Sequence, residues 1–224
     1  MVKNQILPNN VQGKELINAF MSIKKELFVP KKFHDLVYSD ADIMINEKRA
    51  LIRTFIMAKM FEKCEFSKND SILVVGCLTG YSLAILSNLV SYVFGIDNEK
   101  NVVEEANYNI NFLNILNCSV FYKKDLSNGL NRNAPYDKIF IEGAVKSIPQ
   151  NIVKQLKDDG QIFTVIKNDE FIGEFVRGIK VKSGLSFENL FITNVNELED
   201  FIIWDYVNEI SYRNQFFSFK LLYQ

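Results

Sequence analysis

The residues with the clearest chemical potential lie in a glycine-containing turn between an apolar strand and a helix. The turn is Gly76-Cys77-Leu78-Thr79-Gly80-Tyr81, and it follows the apolar run 72–75. Glycines allow a backbone to approach a ligand closely, and a helix N-terminus offers unpaired N–H groups and the positive end of the helix dipole. The turn is therefore either a ligand-binding loop or a plain tight connection between a strand and a helix.

Three acidic residues follow further predicted strands. Asp97 comes 21 residues after Gly76, Asp125 follows a third strand, and Glu142 with Gly143 follows a fourth. A carboxylate in the position of Asp97 can accept two hydrogen bonds from ribose hydroxyls. Each feature also has a plainer interpretation, with Asp97 as a helix N-cap and Asp125 as a turn residue. Their joint order and spacing predict a cleft for a ligand that contains adenosine.

The spacing of glycines and cysteines argues against several other classes of site. The dinucleotide fingerprint G-x-G-x-x-G needs glycine where Leu78 and Tyr81 stand, which disfavours an NAD-linked oxidoreductase. No G-x-x-x-x-G-K-[ST] phosphate loop occurs in the sequence. The three cysteines, Cys64, Cys77 and Cys118, share no C-x-x-C spacing, so neither a disulfide framework nor a metal site is predicted.

An alternation of strands and helices must position these residues. Apolar strands are predicted at 72–75, 92–96, 119–122, 138–141 and 161–166, with helices near 81–90, 99–115 and 149–157. Buried strands separated by helices indicate an α/β fold with a doubly wound, mostly parallel sheet that is covered on both faces. Ligands bind such sheets at the carboxyl ends of the strands, where the strand order reverses.

Composition and charge limit the expected partners and compartment. The chain has 224 residues, of which 48% are hydrophobic and 24% charged, so it contains enough apolar material for a sizeable core. Its net charge is −1, with both signs interspersed, so neither nucleic acid nor a membrane is an expected partner. Residues 71–96 lack charges, but their pattern favours a β-α-β unit over a membrane span. Because no apolar signal segment begins the sequence, we expect a cytoplasmic protein.

Several short motifs together resemble a known family. They are Asn4-Gln5-Ile6-Leu7-Pro8-Asn9, Phe28-Val29-Pro30, Tyr38-Ser39-Asp40, Gly80-Tyr81-Ser82, Ala134-Pro135-Tyr136-Asp137, Ile148-Pro149, Gln155-Leu156-Lys157 with Gly160, and Glu188-Asn189-Leu190-Phe191. The combination of F-V-P, G-Y-S and A-P-Y-D in this order is specific. From Asn4 to Phe201 the chain resembles the protein-L-isoaspartate O-methyltransferase family of S-adenosylmethionine-dependent methyltransferases.

The resemblance implies a fold and a reaction. The fold is that of a class I, Rossmann-like methyltransferase, and the reaction is methyl transfer from S-adenosylmethionine to a protein carboxylate such as that of an isoaspartyl residue. The implied cofactor contacts are Gly76, Cys77, Leu78, Thr79, Gly80, Asp97, Asn98, Asp125 and Leu126. The implied acceptor side contains Ile52 and Arg53. No catalytic residue is predicted, because a carboxyl group is already ionised at neutral pH and attacks without a strong base. The single histidine, His34, is interpreted as structural.

Three residues depart from the family's pattern. Val74 stands where an acidic residue precedes the loop, Leu78 replaces the middle glycine, and Ile52 replaces a serine of the isoaspartyl pocket. The segment 49–54 is closer to an R-x-L-L-x-P pattern of some bacterial relatives, and Arg53 either holds an acceptor carboxylate or is a solvated arginine on a helix face. Leucine is expected not to take the positive φ open to glycine. The alternative to an active enzyme is therefore a pseudoenzyme or binding module without effective cofactor binding.

We predict one domain over residues 1–224. Its parts are a mostly helical N-terminal region (1–68), a Rossmann-like core (69–168) and C-terminal strands (169–224). The last part contains the strand-like segments GEFVRGIKVKSG, ENLFITNV and QFFSFKLLY, which we expect to complete the sheet in antiparallel fashion. The aromatic stretch 202–224 is either a final strand pair or an oligomer surface, and the sequence leaves the oligomeric state open.

Overall fold

The computed structural model describes residues 1–167, 172–198 and 201. Its strands and α-helices, in chain order, are α1 (Lys14–Ser22), β1 (Ile43–Met44), β2 (Ala50–Leu51), α2 (Thr54–Cys64), β3 (Ser71–Val75), α3 (Tyr81–Leu86), β4 (Tyr92–Asp97), α4 (Lys100–Phe112), β5 (Cys118–Tyr122), β6 (Tyr136–Val145), α5 (Gln150–Val153), β7 (Leu156–Lys167), β8 (Gly173–Val181) and β9 (Gly184–Thr193). Short 3₁₀ turns join several of them, including Lys25–Phe28 and Leu126–Asn128.

Seven strands form one sheet in the order β5-β4-β3-β6-β7-β8-β9. Neighbouring strands from β5 to β7 pair in parallel, whereas β8 and β9 add in antiparallel fashion. The chain runs outward from β3 through β4 to β5 and then returns to the other side of β3 as β6. The strand order therefore reverses between β3 and β6, which is where ligands bind in such sheets. The predicted doubly wound, mostly parallel sheet with antiparallel C-terminal strands is confirmed.

The core covers both faces of the sheet. On β3, Ile72 and Val74 belong to one hydrophobic cluster, while Leu73 and Val75 belong to a second. The first cluster also contains Phe140 of β6 and buried residues of the helices α1 to α4, and the second contains buried residues of α5. A strand that is buried on both faces has to be apolar along its whole length, which explains the continuous apolar runs in the sequence.

The predicted strands are confirmed, and the predicted helices end earlier than expected. Helix α3 ends at Leu86, and the helix expected near 149–157 is only α5 (Gln150–Val153), because Leu156 already begins β7. In the N-terminal region, α1 and α2 match the predicted helical spacing. The paired strands β1 and β2 were not predicted, since two-residue strands are too short to show an alternating pattern.

Some predictions fall outside the described residues or stay open. The segment QFFSFKLLY and the aromatic stretch 202–224 lie outside the part of the chain that the structure describes. The division into parts 1–68, 69–168 and 169–224 stays a prediction. Within the described ranges, no helix has both the length and the apolar character needed to cross a membrane. The uncharged stretch 71–96 forms β3, α3 and β4 instead.

Candidate functional site

The loop after β3 lies where the strand order reverses. Gly76 and Gly80 have φ angles of +79° and +91°, in the left-handed region that glycine enters without steric cost. Leu78, between them, also has a left-handed φ of +48°. The prediction that leucine does not take a positive φ at this position is therefore wrong.

Two contacts hold Leu78 in this conformation. Its backbone N–H donates to Oδ2 of Asp97 at 2.9 Å, and its side chain, 1% exposed, belongs to the first hydrophobic cluster. A left-handed residue other than glycine costs on the order of 1–2 kcal/mol. Burial of a leucine side chain contributes about 1.5–3 kcal/mol and offsets this cost. Leu78 thus gives the loop a backbone conformation typical of glycine while its isobutyl group packs in the core.

Asp97 ends β4 and is fully buried. Its carboxylate accepts the backbone N–H groups of Leu78 at 2.9 Å, Asn98 at 2.9 Å and Glu99 at 3.3 Å. The guanidinium of Arg49 adds a fourth donor, with Nη1 at 3.4 Å from both carboxylate oxygens. A carboxylate has about four lone-pair sites, so these donors use its whole accepting capacity. The carboxylate of Asp97 is therefore occupied by the chain's own donors, and its role as a ribose acceptor stays a prediction.

Arg49 joins the loop to Asp97 from the connection that leads into β2. Its Nη2 donates to the carbonyl of Gly76 at 2.7 Å, and the same nitrogen lies 3.0 Å from the position that a Cβ on Gly76 would take. Leu198, after β9, reaches the same position with Cδ1, also at 3.0 Å. Arg49 was not among the predicted site residues. The sequence feature that could have identified Arg49 is the R-x-L-L-x-P pattern, in which it is the first residue.

Glu142 lies in β6, on the other strand at the reversal point. Its side chain is buried, with only 3% of the residue exposed. Oε2 accepts a hydrogen bond from the Ser82 hydroxyl of α3, whereas Oε1 accepts none from the described residues. Burial, reinforced by the nearby Asp97, raises the pKa of this carboxyl to about 7 against the opposing effects of the Ser82 hydroxyl and Arg49. Glu142 was predicted at a strand end but was not among the predicted site residues.

The other predicted loop residues hold the loop in place. The Thr79 hydroxyl donates to the carbonyl of Phe28 at 2.7 Å, which anchors the F-V-P segment to the loop. The rings of Phe28 and Tyr81 are in contact, with their centroids 5.4 Å apart. Burial raises the pKa of the Cys77 thiol well above its ordinary value, so the thiol stays protonated near neutral pH. Cys77 is therefore a packing residue in this structure.

Asp125 begins the 3₁₀ turn Leu126–Asn128. Its carboxylate accepts the backbone N–H of Ser127 at 2.9 Å, the hydroxyl of Ser127 at 2.6 Å and Nδ2 of Asn128 at 2.7 Å. Leu126 is fully buried in the second hydrophobic cluster. The turn-residue interpretation therefore describes the side-chain contacts of Asp125, and a cofactor contact of Asp125 and Leu126 stays a prediction.

The predicted acceptor residues begin α2. Ile52 is buried in the first hydrophobic cluster, and Arg53 is the N-cap of the helix. The Arg53 Nε lies 3.2 Å from Oδ1 of Asp42, and Nη2 donates to the carbonyl of Asn194 at 2.9 Å. The guanidinium thus connects the start of α2 with the segment after β9. Arg53 therefore lies at the start of the helix, and its side chain is 29% exposed, so it is partly solvated. A contact of Arg53 with an acceptor carboxylate stays a prediction.

Lys25 is a buried cation close to the same region. Its residue exposure is 0%, and Nζ donates to Oγ1 of Thr54 at 3.0 Å. The ammonium also lies 5.8 Å from the centroid of the Tyr81 ring. Burial lowers its pKa to about 8, partly opposed by the attraction of Asp42. This burial was not predictable from residue type, since lysine is among the residues that are least often buried.

Residues 1–186 match the family model described as protein-L-isoaspartate(D-aspartate) O-methyltransferase (PCMT). The chain belongs to this family. It is 28% identical over 165 residues to the protein-L-isoaspartate O-methyltransferase of Vibrio atlanticus (strain LGP32), a match that covers 74% of this chain and 79% of the relative. It is also 28% identical over 193 residues to the protein of the same name from Ignicoccus hospitalis (strain KIN4/I / DSM 18386 / JCM 14125), covering 85% of this chain and 91% of the relative.

Solved structures of PCMT proteins share the fold. One protein-L-isoaspartate O-methyltransferase structure superimposes with a TM-score of 0.79 at 21% identity and covers 91% of this chain and 67% of its own. A structure from Plasmodium falciparum in complex with S-adenosyl-L-homocysteine gives a TM-score of 0.72 at 15% identity, covering 86% of this chain and 94% of its own. The class I methyltransferase fold expected from the resemblance is therefore confirmed.

Proposed function

We propose that the protein transfers a methyl group from S-adenosylmethionine to the carboxylate of an isoaspartyl residue in a protein or peptide. Membership in the PCMT family, whose enzymes use S-adenosylmethionine, supports this reaction. The observation that carries the proposal is the hydrogen bond from the Leu78 N–H to Asp97. It joins the loop at the strand reversal to the buried acidic strand end, which is the arrangement expected of a site for an adenosine-containing ligand.

The residues around the loop fit such a cofactor on two observations. Gly76 and Gly80 have left-handed φ angles and present no side chain to a ligand. Glu142 has a buried carboxylate oxygen that accepts no hydrogen bond from the described residues, so an acceptor is available for a polar ligand group. In this proposal the cofactor contacts are the loop residues 76–80 together with Asp97 and Asn98, and Asp125 and Leu126 lie on the adenosine side.

Arg49 sets a condition on cofactor binding. Its guanidinium occupies the carbonyl of Gly76 and the carboxylate of Asp97, both of which the proposal assigns to the cofactor. Binding therefore requires these contacts to be exchanged for contacts with the cofactor. In this exchange the hydroxyls of the cofactor would replace the guanidinium as donors to Asp97.

The chain's own residues contribute binding and orientation to the reaction. S-adenosylmethionine, when bound, supplies an electrophilic methyl group. The acceptor carboxylate is ionised at neutral pH, so the protein needs no general base. Correct placement of two reactants contributes on the order of 7–11 kcal/mol to lowering the barrier. Ile52 and Arg53 remain the proposed acceptor side, where Arg53 holds the segment after β9 through the carbonyl of Asn194.

Two assays test the proposal. S-adenosylhomocysteine at about 100 times its dissociation constant should add roughly 2.7 kcal/mol to the stability, which a thermal melt detects. Labelled S-adenosylmethionine should give a base-labile methyl ester on an isoaspartyl peptide and none on the matching aspartyl peptide. Binding without transfer would favour the binding-module alternative. An unchanged melt together with no transfer would contradict the proposed function.

A further inference from the structure

We propose that Glu142 is a cofactor-binding residue whose carboxylate accepts the ammonium group of the cofactor's methionine part. This inference rests on the proposed function and assigns one more residue to the same site. It starts from the carboxylate itself, which is buried at the strand reversal and uses only one of its two oxygens within the described residues.

The unused oxygen is the first observation. A buried carboxylate is costly unless its oxygens accept hydrogen bonds, and a single hydroxyl donor satisfies only a small part of its capacity. Ser82 donates to Oε2 and thereby fixes the side chain against the first turn of α3. Oε1 lacks such a donor, so a cationic donor supplied by a ligand would complete the site. An ammonium group is suited to this position, because it brings up to three donors and a compensating charge.

The position of Glu142 in the sheet is the second observation. Val74 of β3 pairs with Phe140 of β6, and both side chains belong to the first hydrophobic cluster. The register of β6 is irregular between Phe140 and Ala144, so the contact with Ser82 places Glu142: the hydroxyl belongs to α3, whose buried residues pack in the first hydrophobic cluster. The family's pattern places its acidic residue at position 74. In this chain position 74 of β3 is a valine, and the carboxylate of Glu142 lies on the neighbouring strand β6, on the same face of the sheet.

The surrounding charges also favour a cationic ligand. Arg49, from the connection before β2, and Asp97, from β4, are both close enough to influence the Glu142 carboxyl, and Cys77 of the loop is protonated. Arg49 directs its hydrogen bonds to Gly76 and Asp97, which leaves the Glu142 oxygen to another donor. A ligand that displaces Arg49 would remove the positive charge that acts on the carboxyls of Asp97 and Glu142, and its own positive charge would compensate for the loss.

A pair of ligands tests the assignment directly. S-adenosylhomocysteine carries the ammonium group, and its deaminated keto analogue carries a carbonyl there. Glu142→Gln keeps the size of the side chain and an acceptor for Ser82 but removes the negative charge. We expect this variant to weaken S-adenosylhomocysteine by about 10- to 100-fold, as for a hydrogen bond to a charged group, and to leave the affinity of the keto analogue within about twofold.

The matched control is Glu105→Gln on α4, another glutamate whose pKa is raised by burial. It should leave both affinities unchanged. Equal weakening of both ligands by Glu142→Gln, or no weakening of either, would overturn the assignment. These outcomes require that the unmodified protein binds S-adenosylhomocysteine; if it binds neither ligand, the proposed function itself fails.

A second measurement needs only the unmodified protein. An ammonium group beside Glu142 favours the ionised carboxylate, so binding of S-adenosylhomocysteine near pH 7 should release part of a proton. Calorimetry in two buffers of different ionisation enthalpy measures this release, and the groups that face Glu142 during the titration are Arg49, Asp97, Cys77 and Ser82. The keto analogue should release less. Equal release with both ligands would contradict the assignment even if the variant failed to fold.

Discussion

Replacement of Glu142 by glutamine should change how the stability of the protein depends on pH. In the folded protein, burial raises the pKa of this carboxyl to about 7 from its ordinary value of 4.5. Between these values the folded state keeps a proton that the unfolded chain has lost. The wild-type protein therefore loses stability as the pH rises from about 4.5 to about 7, and the loss is complete above pH 7. Glutamine does not titrate, so the variant lacks this loss.

The magnitude follows from the two pKa values. They differ by about 2.5, and each tenfold change in proton affinity is about 1.4 kcal/mol, which gives a loss of about 3 kcal/mol. We expect the stability of Glu142→Gln relative to wild type to increase by about this amount between pH 4.5 and pH 8. The comparison is made on the change with pH, because the amide also alters the hydrogen bond from Ser82 by an amount that does not depend on pH.

Urea denaturation of both proteins at a series of pH values measures this change. Ser82→Ala provides a matched control with the opposite sign. The hydroxyl of Ser82 lowers the pKa of Glu142, so its removal should raise that pKa and extend the loss of stability to higher pH. A stability difference between Glu142→Gln and wild type that stays constant from pH 4.5 to pH 8 would refute the reasoning, since it would mean that the carboxyl is not desolvated in the folded protein.

Three further predictions concern the loop and its surroundings. Arg49→Met removes the guanidinium that occupies Asp97, so S-adenosylhomocysteine should bind at least about tenfold more tightly, as measured by calorimetry. Weaker binding would show that the guanidinium itself contacts the cofactor. Leu78→Gly should lower the free energy of unfolding by about 2–4 kcal/mol in urea, because the buried side chain is lost. An unchanged free energy of unfolding would argue against its packing in the core. Lys25 has a pKa of about 8 in the folded protein and 10.5 in the unfolded chain, so the stability of the wild type relative to Lys25→Met should rise by about 3 kcal/mol between pH 8 and pH 10.5. A stability difference that stays constant over this range would contradict the burial of Lys25.

The sheet and the loop were predictable from the sequence because they are encoded locally. Short apolar runs rich in β-branched residues, such as 72–75, favour strands that are buried on both faces, and the G-x-x-x-G turn marks where the first of them meets a helix. The ends of these strands then identify Asp97 and Glu142 as neighbours of the turn, since parallel strands end at the same edge. The lengths of α3 and α5 were overestimated because helical spacing does not show where the chain enters the next strand.

The contacts that define the site were not predictable in the same way. Arg49 reaches Asp97 across 48 residues of chain, and Ser82 reaches Glu142 across 60. No local pattern encodes such pairs, because they depend on which elements the sheet brings together. The conformation of Leu78 is a similar case: intrinsic preference disfavours a positive φ for leucine, and burial together with the bond to Asp97 overrides that preference.

The sequence by itself thus determined the doubly wound α/β class of the sheet and the position of the glycine turn. It also determined which strands are followed by acidic residues and the membership in the PCMT family. These features depend on residue type and spacing along the chain. The tertiary structure decided the left-handed backbone of Leu78, the occupation of Asp97 by Arg49 and the raised pKa of Glu142. All three arise from burial and from contacts between distant segments, and a carboxylate acquires its proton affinity only from the groups that surround it in the folded protein.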